Sequence, residues 1–264
     1  MISVLIIFLV LSNIITIYLL NKKSIKKYFT NSLVKSVNLE KVNKIFESEK
    51  ISENLYGPKK DVIIKSFCIP SGAKDIVGKT SDYEAWILSS LSKISKNIFE
   101  FGTCSGKTTT LMALNSPDDA KIITLTLSSK QAKNLNLDAR DNKISIRNII
   151  NESNYDKFIF SGKECEKKIS VMFLDSRELN VDEYIDKFDL IFIDGGHTYS
   201  IIKNDSNKAF KMLKNGGFIV WHDYVPGKSS DKDVVKYLNK ISKKKKIFHI
   251  ENTSLCYFNN IHEN

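Results

Sequence analysis

Three acids and one histidine fall where apolar runs of the chain stop. Glu100 lies in the run Ile98–Phe101, directly before Gly102. Asp194 ends the run that starts at Phe188, His197 follows three residues later, and Asp223 comes two residues after Trp221. In an open α/β sheet the carboxyl ends of buried strands face the crevice that takes the ligand. Of all side chains, histidine is best poised to take a proton near neutral pH. His197, beside Asp194, is therefore the candidate base for a hydroxyl substrate. Its other use would be to hydrogen-bond the loop that carries it and hold that loop in shape.

The loop after Glu100 narrows the ligand class. The stretch reads I-F-E-F-G-T-C-S-G-K-T over residues 98–108. Glycine at 102 and 106 lets the chain turn tightly where a Cβ would interfere. A phosphate-binding P-loop needs G-x-x-x-x-G-K-[ST]. Here only three residues separate the glycines, and Phe101 stands where the first glycine belongs, so Gly106-Lys107-Thr108 falls one residue short. The dinucleotide fingerprint G-x-G-x-x-G fails at Cys104. What remains is E-x-G-x-x-x-G-x-T. The apolar run closing on Asp194 also suits the second motif of a nucleoside triphosphatase, which keeps that reading open.

The elements that must position these residues follow in order. Residues 1–21 carry no charged side chain, and Lys22, Lys23, Lys26 and Lys27 come directly after. About twenty apolar residues at ~1.5 Å each span a ~30 Å hydrocarbon core. A cleaved signal peptide would have its positive charges first. The order here predicts a single-pass membrane anchor over 1–21, with everything after the lysines on the cytoplasmic side. Residues 22–60 read as a juxtamembrane stalk and 61–264 as the catalytic domain. Ser81 and Glu84 have capping-box spacing, and Ile87, Leu91 and Ile94 continue as one helix face. Strands are expected at 98–101, 122–127, 169–174, 188–194 and 218–221, with a helix after each glycine or polar turn. Asn215-Gly216-Gly217 is expected to stop the helix before the last of these. A helix at 231–246 and a hairpin at 247–258 finish the chain. The fold class is thus a Rossmann-like doubly wound α/β sheet with a C-terminal antiparallel hairpin, preceded by one transmembrane helix.

These motifs in this order resemble the class I S-adenosylmethionine-dependent methyltransferases. E-F-G-T-C-S-G, L-D-S at 174–176, F-I-D-G-G-H-T-Y with Asp205 beyond it, and L-K-N-G-G-F-I-V-W-H-D-Y are similar to the branch of macrocin-type and cephamycin-type O-methyltransferases. The resemblance covers about residues 60–264. It implies S-adenosyl-L-methionine held by Glu100, Gly102, Thr103, Ser105 and Gly106, by Thr126, by Asp175 and Ser176, and by Asp194. It implies catalysis by His197 and Asp194 on a small-molecule or glycan acceptor. In metal-dependent members the positions of Asp194 and Asp223 hold Mg²⁺; Tyr224 follows Asp223 where a third carboxylate or amide ligand is usual. The clearest departure is Thr126, at the end of the second strand, where such folds place an acid on the ribose hydroxyls. A hydroxyl cannot grip a diol with two acceptors. Another group compensates, or the cofactor binds weakly, as it would in a domain that kept the fold and lost catalysis.

Composition excludes several classes. Net charge is +10, with 40 basic and 30 acidic residues spread along the chain. There is no arginine-rich or aromatic-interleaved stripe, so nucleic acid is not expected as a partner. The four cysteines, at 68, 104, 165 and 256, form no C-x-x-C pair, against zinc and against a disulfide framework. Oligomeric state has no signature in the sequence.

Overall fold

A computed structural model describes residues 33–37, 48–52, 55–58, 63–67, 80–136, 138–139 and 141–260. The chain divides into two units, residues 1–34 and 35–264. The expected anchor at 1–21 lies outside the described residues, as do the flanking lysines and much of the stalk. Among the described residues no helix is long and apolar enough to cross a membrane.

The second unit is built on an eight-stranded sheet. Its strands are β1 (Lys35–Val37), β4 (Asn97–Phe101), β5 (Lys121–Thr126), β6 (Ile169–Phe173), β7 (Phe188–Ile193), β8 (Leu213–Trp221), β9 (Phe248–Ile250) and β10 (Cys256–Asn259). Their order across the sheet is β1-β9-β10-β8-β7-β4-β5-β6. Strands β8, β7, β4, β5 and β6 run parallel, and β10 is antiparallel to both neighbours. The chain builds outward from β4 to β6, then returns to the other side of β4 at β7. That reversal makes a crevice at the carboxyl ends of β4 and β7. A separate two-stranded sheet pairs β2 (Ser48–Ser52) with β3 (Leu55–Pro58).

Residues of the expected stalk enter this architecture. Strand β1 pairs with β9 in parallel at the sheet edge, Lys35 opposite Phe248. The stalk expected to run to residue 60 therefore does not describe Lys35–Val37.

The central strands are hydrophobic on both faces because helices cover both. Ile98, Phe99, Leu190, Ile191, Phe192, Ile219 and Val220 are fully buried. Each such side chain contributes about 1.5–3 kcal/mol by leaving water. The helices are α1 (Asp82–Lys93), α2 (Lys107–Asn115), α3 (Ser129–Lys133), α4 (Lys143–Glu152), α5 (Tyr199–Met212) and α6 (Lys232–Ile241). Helix α1 starts with the predicted capping box: Ser81 Oγ accepts from Glu84 N, and Ser81 N donates to the Glu84 carboxylate.

One predicted boundary moves. Asn215–Gly217 does not cap α5, which ends at Met212 and passes directly into β8. The glycines sit inside β8. Phe188 pairs with Leu213 but Leu190 pairs with Phe218, so the extra residues of β8 bulge. Gly216 takes φ +81° there, and a Cβ on Gly217 would lie 2.9 Å from the Phe188 carbonyl oxygen. The glycines serve the bulge, a common use of glycine in strands.

Candidate active site

The glycine loop is pinned between two strands. Gly102 N donates to Leu125 O at 2.8 Å, and Asp194 N donates to Phe101 O at 2.8 Å. Gly102 has φ +98°, and a Cβ there would lie 2.3 Å from the Asp194 carbonyl oxygen. Only glycine lets the β4 and β7 ends approach this closely. Gly106, at φ +80°, begins α2; a Cβ there would meet the Phe160 ring at 2.8 Å. Its smallness serves packing against the segment beyond α4.

Glu100 is completely buried and bonded inside the protein. Its carboxylate accepts from the Thr108 hydroxyl at 2.5 Å, the Thr124 hydroxyl at 2.6 Å and the Thr109 hydroxyl. Thr103 shares a hydrogen bond with Thr124 at 2.6 Å. This network ties β4, β5 and the first turn of α2 together beneath the loop. Burial pushes the Glu100 pKa up to about 7, against the three hydroxyl donors that lower it. Lys107 donates to Thr80 O at 2.8 Å. In a P-loop that lysine would reach toward phosphate.

Above the loop lies a cleft partly open to solvent. Of the sequence-predicted cofactor residues, Gly102, Thr126, Asp175, Ser176 and Asp194 line it. Glu100, Thr103, Ser105 and Gly106 do not; they hold the loop from behind. Ser105, for instance, is buried, and its carbonyl accepts from Ile159 N at 3.0 Å. Asp175 caps a short 3-10 turn, accepting from Arg177 N at 2.9 Å, and its carboxylate is also gripped by the Arg177 guanidinium at 2.5 Å. Desolvation opposes this ion pair, yet the Asp175 pKa is lowered. Leu127, Leu135, Leu174 and Ile201 supply apolar walls. An apolar slot with a few polar groups is what an adenosyl group requires, and the excess of acids at the Asp194 end suits a sulfonium cation. The lining thus fits S-adenosylmethionine.

A chain of charges closes the Asp194 end. His222 Nδ1 lies 3.1 Å from Asp194 Oδ1 and 3.0 Å from Asp223 Oδ2. His197 Nε2 lies 3.0 Å from the same Asp223 oxygen, and its Nδ1 lies 3.5 Å from Asp231 Oδ1. Lys228 Nζ pairs with Asp231 at 2.6 Å. On the far side His222 Nε2 is 3.6 Å from Glu84 Oε2. The other Glu84 oxygen accepts from Ser254 N at 2.6 Å, which ties α1 to the terminal hairpin. Burial alone would lower both imidazole pKa values. The surrounding carboxylates win and raise both well above the usual histidine range. Asp223, paired with two imidazoles, drops well below the carboxylate range in spite of its burial. Burial raises the Asp194 pKa, against the opposing effect of His222. Asp223 also has φ +61°, strained for a residue other than glycine.

The structure therefore brings Asp194, His197 and Asp223 together. One ligand atom from each lies within 4.8 Å of the others. Two carboxylates and an imidazole could hold a divalent cation, with His197 supplying the third ligand that Tyr224 cannot. The sequence reading missed His222, although its place beside Asp223 at the end of β8 was a signal. It also assigned no role to Asp205, which lines the cleft, or to Glu152, which reaches it from α4. Nothing local marks Glu152, because α4 belongs to a polar segment with no motif.

Residues 99–224 match a protein family described as a methyltransferase domain. No curated protein matches the chain. Among solved structures, an O-methyltransferase from Bacillus cereus in complex with S-adenosylhomocysteine is 18% identical, covering 71% of this chain and 85% of that one, with a TM-score of 0.46. The O-methyltransferase TomG of Streptomyces achromogenes, involved in tomaymycin synthesis and solved with S-adenosylmethionine, is 13% identical over 69% and 81%, with a TM-score of 0.46. A methyltransferase of Podospora anserina bound to S-adenosylhomocysteine is 14% identical over 68% and 78%, with a TM-score of 0.45. Likenesses this distant say nothing about what this chain binds. The family match covers the glycine loop, the Asp194 loop and Asp223. On that match residues 99–224 form a methyltransferase domain.

Proposed function

We propose that the protein transfers a methyl group from S-adenosylmethionine to a hydroxyl oxygen of a small molecule or glycan precursor at the cytoplasmic face of a membrane. The observation that carries this reading is the joining of Gly102, Thr126, Ser176 and Asp194 along one cleft, with Asp194 linked through His222 and Asp223 to His197. S-adenosylmethionine supplies an activated methyl, so the protein's task is to position donor and acceptor and exclude water. The acceptor oxygen forms the new bond to the methyl carbon, the carbon–sulfur pair leaves with sulfur, and the hydroxyl proton goes to a base. We assign that proton to His197. Asp223 and Asp231 make its imidazole more basic than a free one, so a proton once taken is held; the trade is a smaller neutral fraction at pH 7.

Isothermal titration of the full-length protein with S-adenosylhomocysteine tests the cofactor assignment, and absence of any heat of binding would remove it. His197→Ala should keep that affinity while turnover of the methyl acceptor falls ~100-fold or more. Acceptors are best sought by mass spectrometry of extracts from cells with and without the gene.

The membrane part of the proposal rests on the uncharged run 1–21 and the lysines after it. The full-length protein should stay with membranes through a high-salt wash. Its release into the soluble fraction without detergent would sink this part alone.

A second reading puts a divalent ion in place of the His197 base, favoured by the 4.8 Å grouping of Asp194, His197 and Asp223. An ion there would be held by these three residues and would lower the acceptor's pKa. Titration with MnCl₂ and MgCl₂ decides, since a built site should bind at least one and lose it in Asp223→Asn. Full turnover in EDTA would exclude a catalytic ion.

A further inference from the structure

The end of β5 offers Thr126 where the ribose of the cofactor needs an acid. The cleft supplies a carboxylate from elsewhere. Glu152, the last residue of α4, lines the same cleft as Thr126. Helix α4 is held in place at several points. Asn142 Nδ2 donates to Ser229 O at 2.8 Å, and Ser145 Oγ donates to Ser230 O at 2.9 Å, near its start. Its middle residue Ile149 lies over Gly196, where an added Cβ would be 3.0 Å from Ile149 Cδ1. At its end, Ser129 Oγ donates to Ser153 O at 3.0 Å. Ser129 is three residues beyond Thr126, so this bond fixes the C-terminus of α4 at the turn that follows β5. Glu152 also shares the cleft lining with Cys104 of the glycine loop, whose thiol pKa is raised first by burial and then by the Glu152 charge.

We propose that Glu152 is the ribose-binding carboxylate of this enzyme, supplied by α4 in place of the missing acid at the end of β5. The proposal rests on the cofactor assignment above. A carboxylate has two acceptor oxygens and can take a hydrogen bond from each hydroxyl of a diol, as Thr126 cannot. The neighbourhood suits the role. Burial is the main cause that pushes the Glu152 pKa up to about 7, and the charges facing it are His197, Asp194, Asp223 and Asp231. It is a desolvated acceptor, and no donor among the described residues accounts for its carboxylate. The diol would supply two.

The test is binding at pH 8.5, where Glu152 is ionised, using the full-length protein and three ligands: S-adenosylhomocysteine and its 2′-deoxy and 3′-deoxy analogues. The wild type should lose roughly 10-fold or more in affinity for each hydroxyl removed, because a charged acceptor would lose its partner. Glu152→Gln should weaken S-adenosylhomocysteine by about 10- to 100-fold, and should bind all three ligands nearly alike. Thr126→Val, a second variant that leaves α4 intact, should keep most of the hydroxyl dependence. Melting of each variant without ligand separates lost folding from lost binding. If Glu152→Gln binds S-adenosylhomocysteine as the wild type does, or if Thr126→Val rather than Glu152→Gln abolishes the hydroxyl dependence, the proposal is overturned. A wild type that binds none of the three ligands would instead overturn the cofactor assignment beneath it.

Discussion

His222 Nδ1 lies 3.1 Å from Asp194 Oδ1, so the acid that ends β7 in the cleft is charge-paired to a residue at the end of the neighbouring strand. The same nitrogen faces Asp223 at 3.0 Å. One imidazole thus sits between the two carboxylates that any cation in this site would need. The site is neutralised from within, which lets two acids stand side by side in a buried place.

Removing that imidazole should be costly. His222→Ala leaves Asp194, Asp223 and Glu84 facing one another without their shared cation. A loss of about 3–5 kcal/mol is expected, the usual result of breaking a buried ion pair from one side. Adding Asp194→Asn to His222→Ala should recover part of it, since one of the stranded charges is then gone. Denaturant unfolding of the two single variants and the double variant measures the coupling. Strict additivity would mean that the 3.1 Å contact carries no energy.

Glu100 predicts a pH signature in stability. Its folded pKa of about 7 stands above its ordinary value of 4.5. Below pH 4.5 both folded and unfolded chains hold the proton, and there is no penalty. Between pH 4.5 and 7 the unfolded chain releases the proton first, so stability falls as pH rises, by up to about 3 kcal/mol, and levels off above 7. Glu100→Gln cannot ionise. Relative to wild type, its stability should rise across that window and then stay constant. Urea unfolding at pH 5, 6, 7 and 8 reads the difference directly; a difference independent of pH would show that Glu100 ionises as freely inside the protein as outside.

Much of this was legible in the chain. Strands β4, β5 and β7 read correctly because a strand covered on both faces is a continuous apolar run bounded by polar turns; β6, partly exposed at the sheet edge, read correctly from its apolar composition alone. The capping box of α1 read correctly because it is local. Glu100 was harder. An acid before a glycine loop looks like a ligand contact, and only the depth of burial shows that it serves the loop from below. Thr108 and Thr109, one turn into α2, were the available hint. The glycines at 216 and 217 misled because a helix face followed by Asn-Gly-Gly looks like a C-cap, whereas the bulge they form depends on pairing with β7. Glu152 could not be read at all, since its place in the cleft depends on contacts to Ser129, Ser229 and Ser230 that are distant in sequence.

Lys107 gives a prediction against the phosphate-binding alternative. Its ammonium donates to Thr80 O at 2.8 Å, ahead of α1, and is committed to the structure there. Lys107→Ala should lower stability by about 1 kcal/mol, the net worth of one such bond, and leave S-adenosylhomocysteine binding unchanged. ATP with Mg²⁺ should not raise the melting temperature of the wild type, because only a ligand of the native state stabilises it. A thermal shift with ATP–Mg²⁺ that disappears in Lys107→Ala would restore the triphosphatase reading.

The close approach of β4 to β7 can be separated from backbone strain by comparing two glycines. Gly102 has φ +98°, and a Cβ there would lie 2.3 Å from the Asp194 carbonyl oxygen. Gly227 has a nearly equal φ of +96°, but nothing lies within 4 Å of its Cβ position. Gly227→Ala therefore reports the conformational penalty alone, about 1–3 kcal/mol. Gly102→Ala carries the same penalty and a collision with backbone atoms that no side-chain rotation can relieve. It should be the more destabilising of the two in denaturant unfolding. It should also weaken S-adenosylhomocysteine, because parting the two strands displaces Asp194 from the cleft, whereas Gly227→Ala should leave that affinity alone. Equal losses of stability in the two variants would mean that the β4 and β7 ends can separate freely, and that the glycine at 102 is required only for its dihedral angle.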